Sequence, residues 1–325
     1  MKKAEQQSDC FELDRAHSTT RSVTKRTPVT ENEPEANMQF RLFLDTQSVR
    51  IAEGGLRKQG YFKNSEKDKP LISVVTAVYN GKKFLEQAIK SVLSQSYDNV
   101  ELIVIDGGST DGTLDIIKKY DKQINYWVSE PDQGLYDALA KGFSCASGDI
   151  FSWLNSDDIY YPWAFEKVAE TMLTGETQWI TGIPTWIKEN STIPKIGYLK
   201  VYPRILINYG YAHGEGWGFI QQESTFFSRK LYMKVGGIDK GLRLAADFLL
   251  WKKMAHYSKL TSVNCPLAAF RIQDKQLSGD ISEYYTEVYR YGGKKFKILR
   301  WFRKLVTLLL IIKDVSKQIS RQKFR

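Results

Sequence analysis

The stretch "LISVVTAVYNG" (residues 71–81) decides the fold class. Residues 71–78 form an uninterrupted, β-branched run, as expected of a strand that is buried on both faces. The next segment, "KKFLEQAIKSVLSQ" (82–95), places its apolar residues on one face of a helix. A buried strand followed by an amphipathic helix predicts the first half of a β-α-β unit.

The same alternation continues towards the C-terminus. Three further strands are predicted at "ELIVI" (101–105), "NYWVS" (125–129) and "IFSWL" (150–154). Helices are predicted between them at "TLDIIKKY" (113–120) and "GLYDALAKGFSCA" (134–146). Strands that alternate with helices of this length predict an α/β fold with a mostly parallel central sheet and right-handed crossovers.

Polar residues follow each predicted strand, and in such sheets ligands bind beyond the carboxyl ends of the strands. Asn80 follows the first strand, Asp106 begins the loop "DGGSTDGT" after the second, and Asp132 lies in "SEPDQG" after the third. The fourth strand ends in "NSDD", which contains Asp157 and Asp158. We therefore expect the ligand site at this edge of the sheet.

The loop "DGGSTDGT" (106–113) resembles two phosphate-binding motifs but fits neither. A dinucleotide fingerprint requires glycine where Ser109 stands, and a P-loop requires lysine where Thr113 stands. The residues from Ser109 to Thr113 are consistent with a turn and a helix cap. Asp106, at the end of the strand, is predicted to contact a ligand.

Two adjacent carboxylates, Asp157 and Asp158, repel each other and are costly to bury, so either water or a cation must meet them. Mg²⁺ or Mn²⁺ fits, because these ions prefer oxygen ligands and are held by one or two carboxylates together with substrate phosphates. The alternative is a solvated loop in which Asp158 caps the helix of "YPWAFEKVAETML".

Six blocks of the chain resemble the nucleotide-sugar domain of family-two glycosyltransferases, which have the Rossmann-like GT-A fold. The first four are "ISVVTAVYNG", "LIVIDGGSTDGTLDII", "SEPDQGLYDAL" and "SGDIFSWLNSDD". The last two regions, "QQESTFFSRKLYMKVGGID" and "RLAADFLLWKKMA" with "AAFRI", are similar to the second half of that domain. The resemblance covers about residues 71–275 and implies an inverting, metal-dependent hexosyltransferase-like enzyme that takes a sugar from a nucleotide-diphosphate donor.

Mapped by motif, the resemblance implies a role for each matching residue. Asp106 contacts the nucleobase or ribose, Asp157 binds Mg²⁺ or Mn²⁺, and Asp247 in "LAADFLLW" is the catalytic base, with helix capping as its alternative role. The remaining candidates are Asn80, Asp132 and Lys141 for the nucleotide, Asp158 for the metal, and Gln222, Glu223 and Trp217 for the acceptor or donor sugar. Glu223 is also the alternative base, and Trp217 is alternatively a core residue.

Three departures from the family pattern favour a second hypothesis. Asn155 stands where relatives carry the first acid of the metal cluster, Ala246 precedes the proposed base where a second acid is common, and Gln273 replaces a frequent histidine. These residues are consistent with a catalytically impaired protein that binds a sugar nucleotide. Donor binding without transfer would identify it.

The remaining segments are predicted from composition. Residues 1–37 are polar and are expected to be a disordered extension, residues 38–70 are expected to be an arm and linker, and Met38 is an alternative start. The three widely spaced cysteines and the lack of an apolar leader favour a reducing, cytoplasmic setting.

The formal net charge of +10 is carried by residues 294–325, the C-terminal part of the predicted segment 276–325. Its apolar residues recur every seven positions, with lysine and arginine off that stripe, which predicts a basic amphipathic helix. Such a helix lies in the headgroup plane of a membrane, so we expect a peripheral enzyme on the inner face of the cytoplasmic membrane. The resemblance to family-two glycosyltransferases implies a glycan or lipid-linked acceptor in surface polysaccharide synthesis. A homodimer through this helix is the rival prediction, and nucleic-acid binding is not expected.

Overall fold

The computed structural model describes residues 13–26, 41–45, 49–273, 281–295 and 309. Within these ranges the central sheet has eight strands. Their spatial order is β13 (Thr261–Ser262), β9 (Trp179–Thr181), β12 (Thr225–Ser228), β7 (Ile150–Trp153), β4 (Ile72–Val78), β5 (Val100–Asp106), β6 (Tyr126–Ser129) and β2 (Ala52–Gly54). Strands β7, β4, β5 and β6 are mutually parallel, so the predicted α/β fold with a mostly parallel sheet is confirmed.

Helices cover both faces of this sheet. The described helices are α1 (Leu85–Leu93), α2 (Thr113–Lys119), α3 (Leu135–Cys145), α4 (Ala164–Met172), α5 (Arg204–Asn208), α6 (Arg229–Lys234), α7 (Ala246–Ala255) and α8 (Ile281–Arg290). Successive residues of β4 point to opposite faces, so Val74 packs with α1 and α4, whereas Val75 packs with α3 and α7. The uninterrupted apolar sequence of this strand follows from its burial on both sides.

A smaller sheet lies beside the carboxyl end of β7. Its strands are β11 (Lys195–Ile196), β10 (Thr185–Lys188), β14 (Ala268–Ile272) and β8 (Ile159–Tyr160), in that spatial order. Strand β8 follows Asp158 directly and pairs with β14, where Ala269 lies opposite Ile159. The turn that contains the two adjacent aspartates is therefore held between the two sheets.

The prediction that residues 1–37 have no fold is wrong for residues 13–26. There, β1 (Val23–Lys25) pairs with β3 (Tyr61–Lys63), and Ser18 is fully buried. The Ser18 hydroxyl donates to the carbonyl of Val92 at 2.7 Å, and Lys63 Nζ donates to the carbonyl of Ser18 at 2.9 Å. Polar composition concealed this packing because the contacts use hydroxyls and backbone carbonyls rather than apolar side chains.

The arm predicted at 38–70 is also part of the domain rather than a linker. Its strand β2 forms the edge of the central sheet, and the 3-10 helix Leu56–Gln59 follows it. Arg57 is buried and forms an ion pair with the buried carboxylate of Glu101, which also accepts from Ser73 Oγ at 2.6 Å. Burial of a charged pair requires such partners, so the arm and β5 stabilise each other.

The packed domain extends beyond the predicted boundary at residue 275. In α8, Val288 is buried and Glu287 accepts hydrogen bonds from the backbone amides of Leu244 and Ala245 at 2.8 Å each. Of the segment 276–325, predicted to be a basic helix, the structure describes residues 281–295 and 309, and the rest lies outside the described residues. Among the helices that the structure describes, none has the length and apolar content that a membrane span requires.

Candidate functional site

The loops after β4 and β5 are joined to each other at the carboxyl edge of the sheet. The Asn80 amide donates to Ser109 Oγ at 2.8 Å, and Asn80 Oδ1 accepts from the Thr110 amide at 2.9 Å. Asn80 has a φ of 51°, a left-handed conformation that asparagine tolerates better than most residues. The Asn80 side chain, predicted to bind nucleotide, therefore helps to shape the "DGGSTDGT" loop and remains exposed beside it.

Asp106 lies at the end of β5, as predicted, but its carboxylate is fully buried. It accepts hydrogen bonds from the Ser129 hydroxyl at 2.6 Å and from the Ser109 amide at 3.2 Å. The side chain thus braces the loops that follow β5 and β6. Contact between Asp106 and a nucleotide stays a prediction, and it requires one of these hydrogen bonds to be exchanged.

Asp132 and Lys141 lie on the neighbouring loop and helix. A Cβ on Gly107 would lie 2.6 Å from Asp132 Oδ2, so a larger residue at position 107 would displace the Asp132 side chain. Burial raises the pKa of Asp132. Lys141 pairs with the buried carboxylate of Glu130 at 3.0 Å, and its contact with a phosphate stays a prediction.

The turn that contains Asp157 and Asp158 is fixed by Arg271 of β14. The Arg271 amide donates to Asp158 Oδ1 at 2.7 Å, and its guanidinium Nε donates to the carbonyl of Asp157 at 2.5 Å. Asp158 therefore does not cap the following helix, which was the alternative reading of its role. Burial, together with the charges of Asp157 and Glu223, raises the pKa of Asp158 well above its usual range.

Arg271 is a residue that the sequence reasoning missed, although it lies in the "AAFRI" block. It is fully buried, and its guanidinium group lies 4.4 Å from the centre of the Phe84 ring and donates to Gln87 Oε1 at 2.9 Å. Five donors in a fixed planar arrangement allow one arginine to join several chain segments. A buried arginine close to two adjacent acids would have been the signal. The sequence of this short strand does not show that the arginine is buried.

Two further acids, Glu223 and Asp247, lie close to this turn. Burial and the charges of Asp157 and Asp247 raise the pKa of Glu223 to about 8. Burial and the charge of Glu287 raise the pKa of Asp247, in the first turn of α7, to about 6. The fold therefore gathers four carboxyl groups from three distant segments of the chain.

Several buried polar side-chain atoms around this turn have no hydrogen-bond partner among the described residues. They are Asn155 Oδ1, Asp158 Oδ2, Gln221 Oε1, Glu223 Oε1 and Ser224 Oγ. The Gln222 amide, which donates to the carbonyl of Trp153 at 2.6 Å, ties this group to the end of β7. Buried polar atoms are nearly always satisfied in native structures, so these atoms require water, a ligand or an ion as partner.

Trp217 does not belong to this site, and its predicted contact with a sugar is wrong. The side chain is only 2% exposed, and its indole N–H donates to the carbonyl of Val201 at 2.9 Å. A sugar ring requires an open aromatic face for stacking. The core role, which the sequence left as the alternative, describes Trp217.

The acids present fit a hard divalent cation. Asp157 is partly exposed, and Asp158 Oδ2 is one of the unpartnered oxygens. The described residues contain no group of three or more histidine, cysteine, aspartate or glutamate side chains arranged to hold an ion. An ion at Asp157 would therefore complete its coordination with oxygens from a ligand or water.

Comparison with known families and structures agrees with this site. Residues 73–236 match the model of glycosyl transferase family 2. The chain belongs to glycosyl transferase family 2. The matched residues include β4, β5, β6 and β7 and the loops at their carboxyl ends.

Related family-2 proteins are known by sequence. An uncharacterized glycosyltransferase of Rickettsia felis is 29% identical over 243 residues, which are 69% of this chain and 38% of that protein. This family-2 chain thus spans well under half the length of that relative. An uncharacterized glycosyltransferase of Haemophilus influenzae is 25% identical over 279 residues, which are 76% of this chain and 79% of that protein.

Solved structures share the family-2 fold. TarS 1-349 of S. aureus in complex with UDP-GlcNAc has a TM-score of 0.55 at 17% identity, covering 68% of this chain and 64% of that one. A mannosyltransferase from Pyrobaculum calidifontis in complex with GDP-Man and Mn2+ has a TM-score of 0.52 at 16% identity, covering 72% and 68%. At these identities the likeness shows the fold.

Proposed function

We propose that this family-2 domain is an inverting, metal-dependent glycosyltransferase that uses a nucleotide-diphosphate sugar. The observation that carries the proposal is the group of buried, unpartnered polar atoms around the turn of Asp157 and Asp158. They lie beyond the carboxyl ends of parallel strands, where ligands bind in α/β sheets. Family membership and the sugar-nucleotide complexes of the structural neighbours support the same conclusion.

Asp157 is proposed to hold Mg²⁺ or Mn²⁺ together with the donor diphosphate, and Asp158 Oδ2 is the second candidate ligand. The ion would stabilise the negative charge that develops on the leaving nucleoside diphosphate. Arg271 holds the backbone carbonyl of Asp157 and so fixes the turn from which the carboxylate extends. The Mn2+ bound to the mannosyltransferase neighbour supports this role for a divalent ion.

Asp247 is proposed to be the general base that takes the proton of the acceptor hydroxyl. Burial and the charge of Glu287 raise the pKa of Asp247 to about 6, so its carboxyl group is largely ionised at neutral pH. Burial and the charges of Asp157 and Asp247 raise the pKa of Glu223 further, to about 8, so Glu223 is the less ionised of the two. Asp247 can therefore accept a proton, whereas Glu223 would donate a hydrogen bond. A single general base suits a single-displacement mechanism, which inverts the configuration at the anomeric carbon.

We further propose that the acceptor is a glycan or lipid-linked molecule of surface polysaccharide synthesis, and that the enzyme is peripheral on the cytoplasmic membrane face. The support is the sequence of the tail, which carries eleven Lys and Arg residues and one acid from residue 294 to residue 325. Each basic residue near an anionic leaflet contributes about 1 kcal/mol of attraction. Binding to anionic vesicles, lost when the tail is removed, tests this part; equal binding without the tail would contradict it.

The decisive experiment measures nucleotide release from UDP-, GDP- and dTDP-sugars with Mn²⁺ or Mg²⁺, because water can replace the acceptor. We expect release that depends on the metal, that is lost in Asp157→Asn and that persists in Asp115→Asn, a matched substitution on exposed α2. No nucleotide binding and no release with any donor would contradict the proposal.

A second candidate function is donor binding without turnover, favoured by one contact. The side-chain amide of Gln273 donates a hydrogen bond to Asp157 Oδ2, so this proposed metal ligand is already engaged. If nucleotide binds but no donor is hydrolysed, with or without Gln273→Ala, the impaired protein is the better description. If Gln273→Ala increases metal-dependent release, Gln273 restrains an active enzyme.

A further inference from the structure

The arm that precedes the family domain reaches the ligand edge of the central sheet. Strand β2 is antiparallel to β6, and Ala52 pairs with Ser129, the last residue of β6. The chain therefore enters β2 at the edge where β6 ends. The Ile51 amide donates to the carbonyl of Ser129 at 2.9 Å, which places Ile51 at the start of the "SEPDQG" loop.

The Ile51 side chain lies over the loop that follows β5. A Cβ on Gly108 would lie 3.4 Å from Ile51 Cδ1 and 3.5 Å from the nitrogen of Pro131. Ile51 is 55% exposed, and single exposed apolar residues are common on proteins, so exposure alone would carry no argument. The position is informative because the two loops beside Ile51 are those that hold Asp106 and Asp132.

Arg50 anchors the arm in this position. Its side chain is only 10% exposed, and Nε donates to Glu130 at 3.0 Å while Nη1 donates to Glu53 at 2.7 Å. Nη2 also donates to the carbonyl of Asp45 at 2.7 Å. Since Glu130 lies in the "SEPDQG" loop and pairs with Lys141, Arg50 couples the arm directly to the proposed nucleotide site.

We propose that Ile51 forms an apolar wall of the subsite for the donor nucleoside, and that Arg50 is the positioning residue that holds this wall in place. The inference rests on the proposed function. An apolar side chain covers a base or ribose face and leaves the diphosphate untouched. Because residues 50 and 51 precede the matched region 73–236, the chain supplies this part of donor recognition from outside the family domain.

The test compares full-length wild type with Ile51→Ala by calorimetric titration of UDP, GDP and dTDP in the presence of Mn²⁺, and of inorganic pyrophosphate as a probe without a nucleoside. Removal of three side-chain carbons predicts about tenfold weaker binding of the preferred nucleoside diphosphate. Pyrophosphate affinity should not change. Ile205→Ala, on α5 and 62% exposed in wild type, is the matched control and should bind both probes as wild type does.

The role of Arg50 is tested by a double-mutant cycle. Arg50→Lys keeps a positive charge but loses the planar set of donors, so it should weaken nucleoside diphosphate binding in wild type. It should have no further effect in the Ile51→Ala background, because Arg50 acts through Ile51.

Three outcomes would overturn the inference. Unchanged nucleoside diphosphate affinity in Ile51→Ala would show that Ile51 does not contact the nucleoside, and an equal loss of pyrophosphate affinity would show a general disturbance of the site. Fully additive effects of the two substitutions on the binding free energy would show that Arg50 does not act through Ile51. If wild type binds none of the probes, the proposed function fails, and the inference fails with it.

Discussion

Replacing Asp247 by asparagine is expected to stabilise the folded protein while it removes activity. Burial and the charge of Glu287 raise the pKa of Asp247 from 3.8 to about 6. Each pKa unit corresponds to about 1.36 kcal/mol, so the ionised carboxylate destabilises the fold by about 3 kcal/mol. Asparagine has the same shape, can accept the hydrogen bond of the Phe248 amide and carries no charge.

The sign of the pH dependence follows from the raised pKa. Above pH 6 the group is ionised in both the folded and the unfolded state, so the whole penalty is present and Asp247→Asn gains about 3 kcal/mol in free energy of unfolding. As the pH falls from about 6 towards 3.8, the folded state takes up the proton first. The gain from the substitution should therefore shrink to about 1 kcal/mol at pH 4.5.

Urea denaturation of wild type and Asp247→Asn at pH 8 and pH 4.5 measures this difference. Asp115→Asn is the control, because Asp115 also lies in the first turn of a helix but is exposed, and it should change stability by less than about 0.5 kcal/mol. The same Asp247 variant should lose about 10²-fold or more in turnover if the carboxylate is the general base. A variant that is less stable at pH 8, or a stability difference that does not depend on pH, would refute the reasoning.

Three other substitutions test the account. Arg57→Met should lower the free energy of unfolding by about 3 kcal/mol in urea titration, because it leaves the Glu101 carboxylate buried without its ion pair. If the variant were as stable as wild type, the arm would not be part of the fold. Trp217→Phe should lower the free energy of unfolding by about 1–3 kcal/mol, because the carbonyl of Val201 loses its hydrogen-bond donor. The KM values for the sugar donor and the acceptor should not change, and a raised acceptor KM would show that Trp217 contacts the acceptor. Arg271→Lys should raise the Mn²⁺ concentration needed for half-maximal donor hydrolysis, and an unchanged metal requirement would remove Arg271 from the positioning of Asp157.

The central sheet could be predicted from the sequence because its signals are local. Four buried strands are rich in apolar and β-branched residues, and helices with one apolar face separate them. The loops at their carboxyl ends then follow from the topology of parallel sheets. For this reason Asp106, Asp132 and Asp157 were identified as candidates, and the structure places them at one edge.

The remaining features depend on contacts between distant parts of the chain. Arg271 meets Asp158 across 113 residues, and β2 is only three residues long, so neither carries a local pattern. A single tryptophan such as Trp217 is more often a core residue than part of a sugar-binding wall, but only its surroundings decide between the two. Buried atoms without partners, such as Glu223 Oε1, can be recognised only in three dimensions.

The most direct test of the central claim is anomalous diffraction from crystals grown with Mn²⁺ and the nucleoside diphosphate that the donor panel selects. The account predicts one manganese peak within coordination distance of Asp157, with the diphosphate bound to it and the nucleoside against the exposed face of Ile51, beside the "DGGSTDGT" loop. A manganese ion or nucleotide bound elsewhere, with Asp157 still paired only to protein groups, would contradict the account.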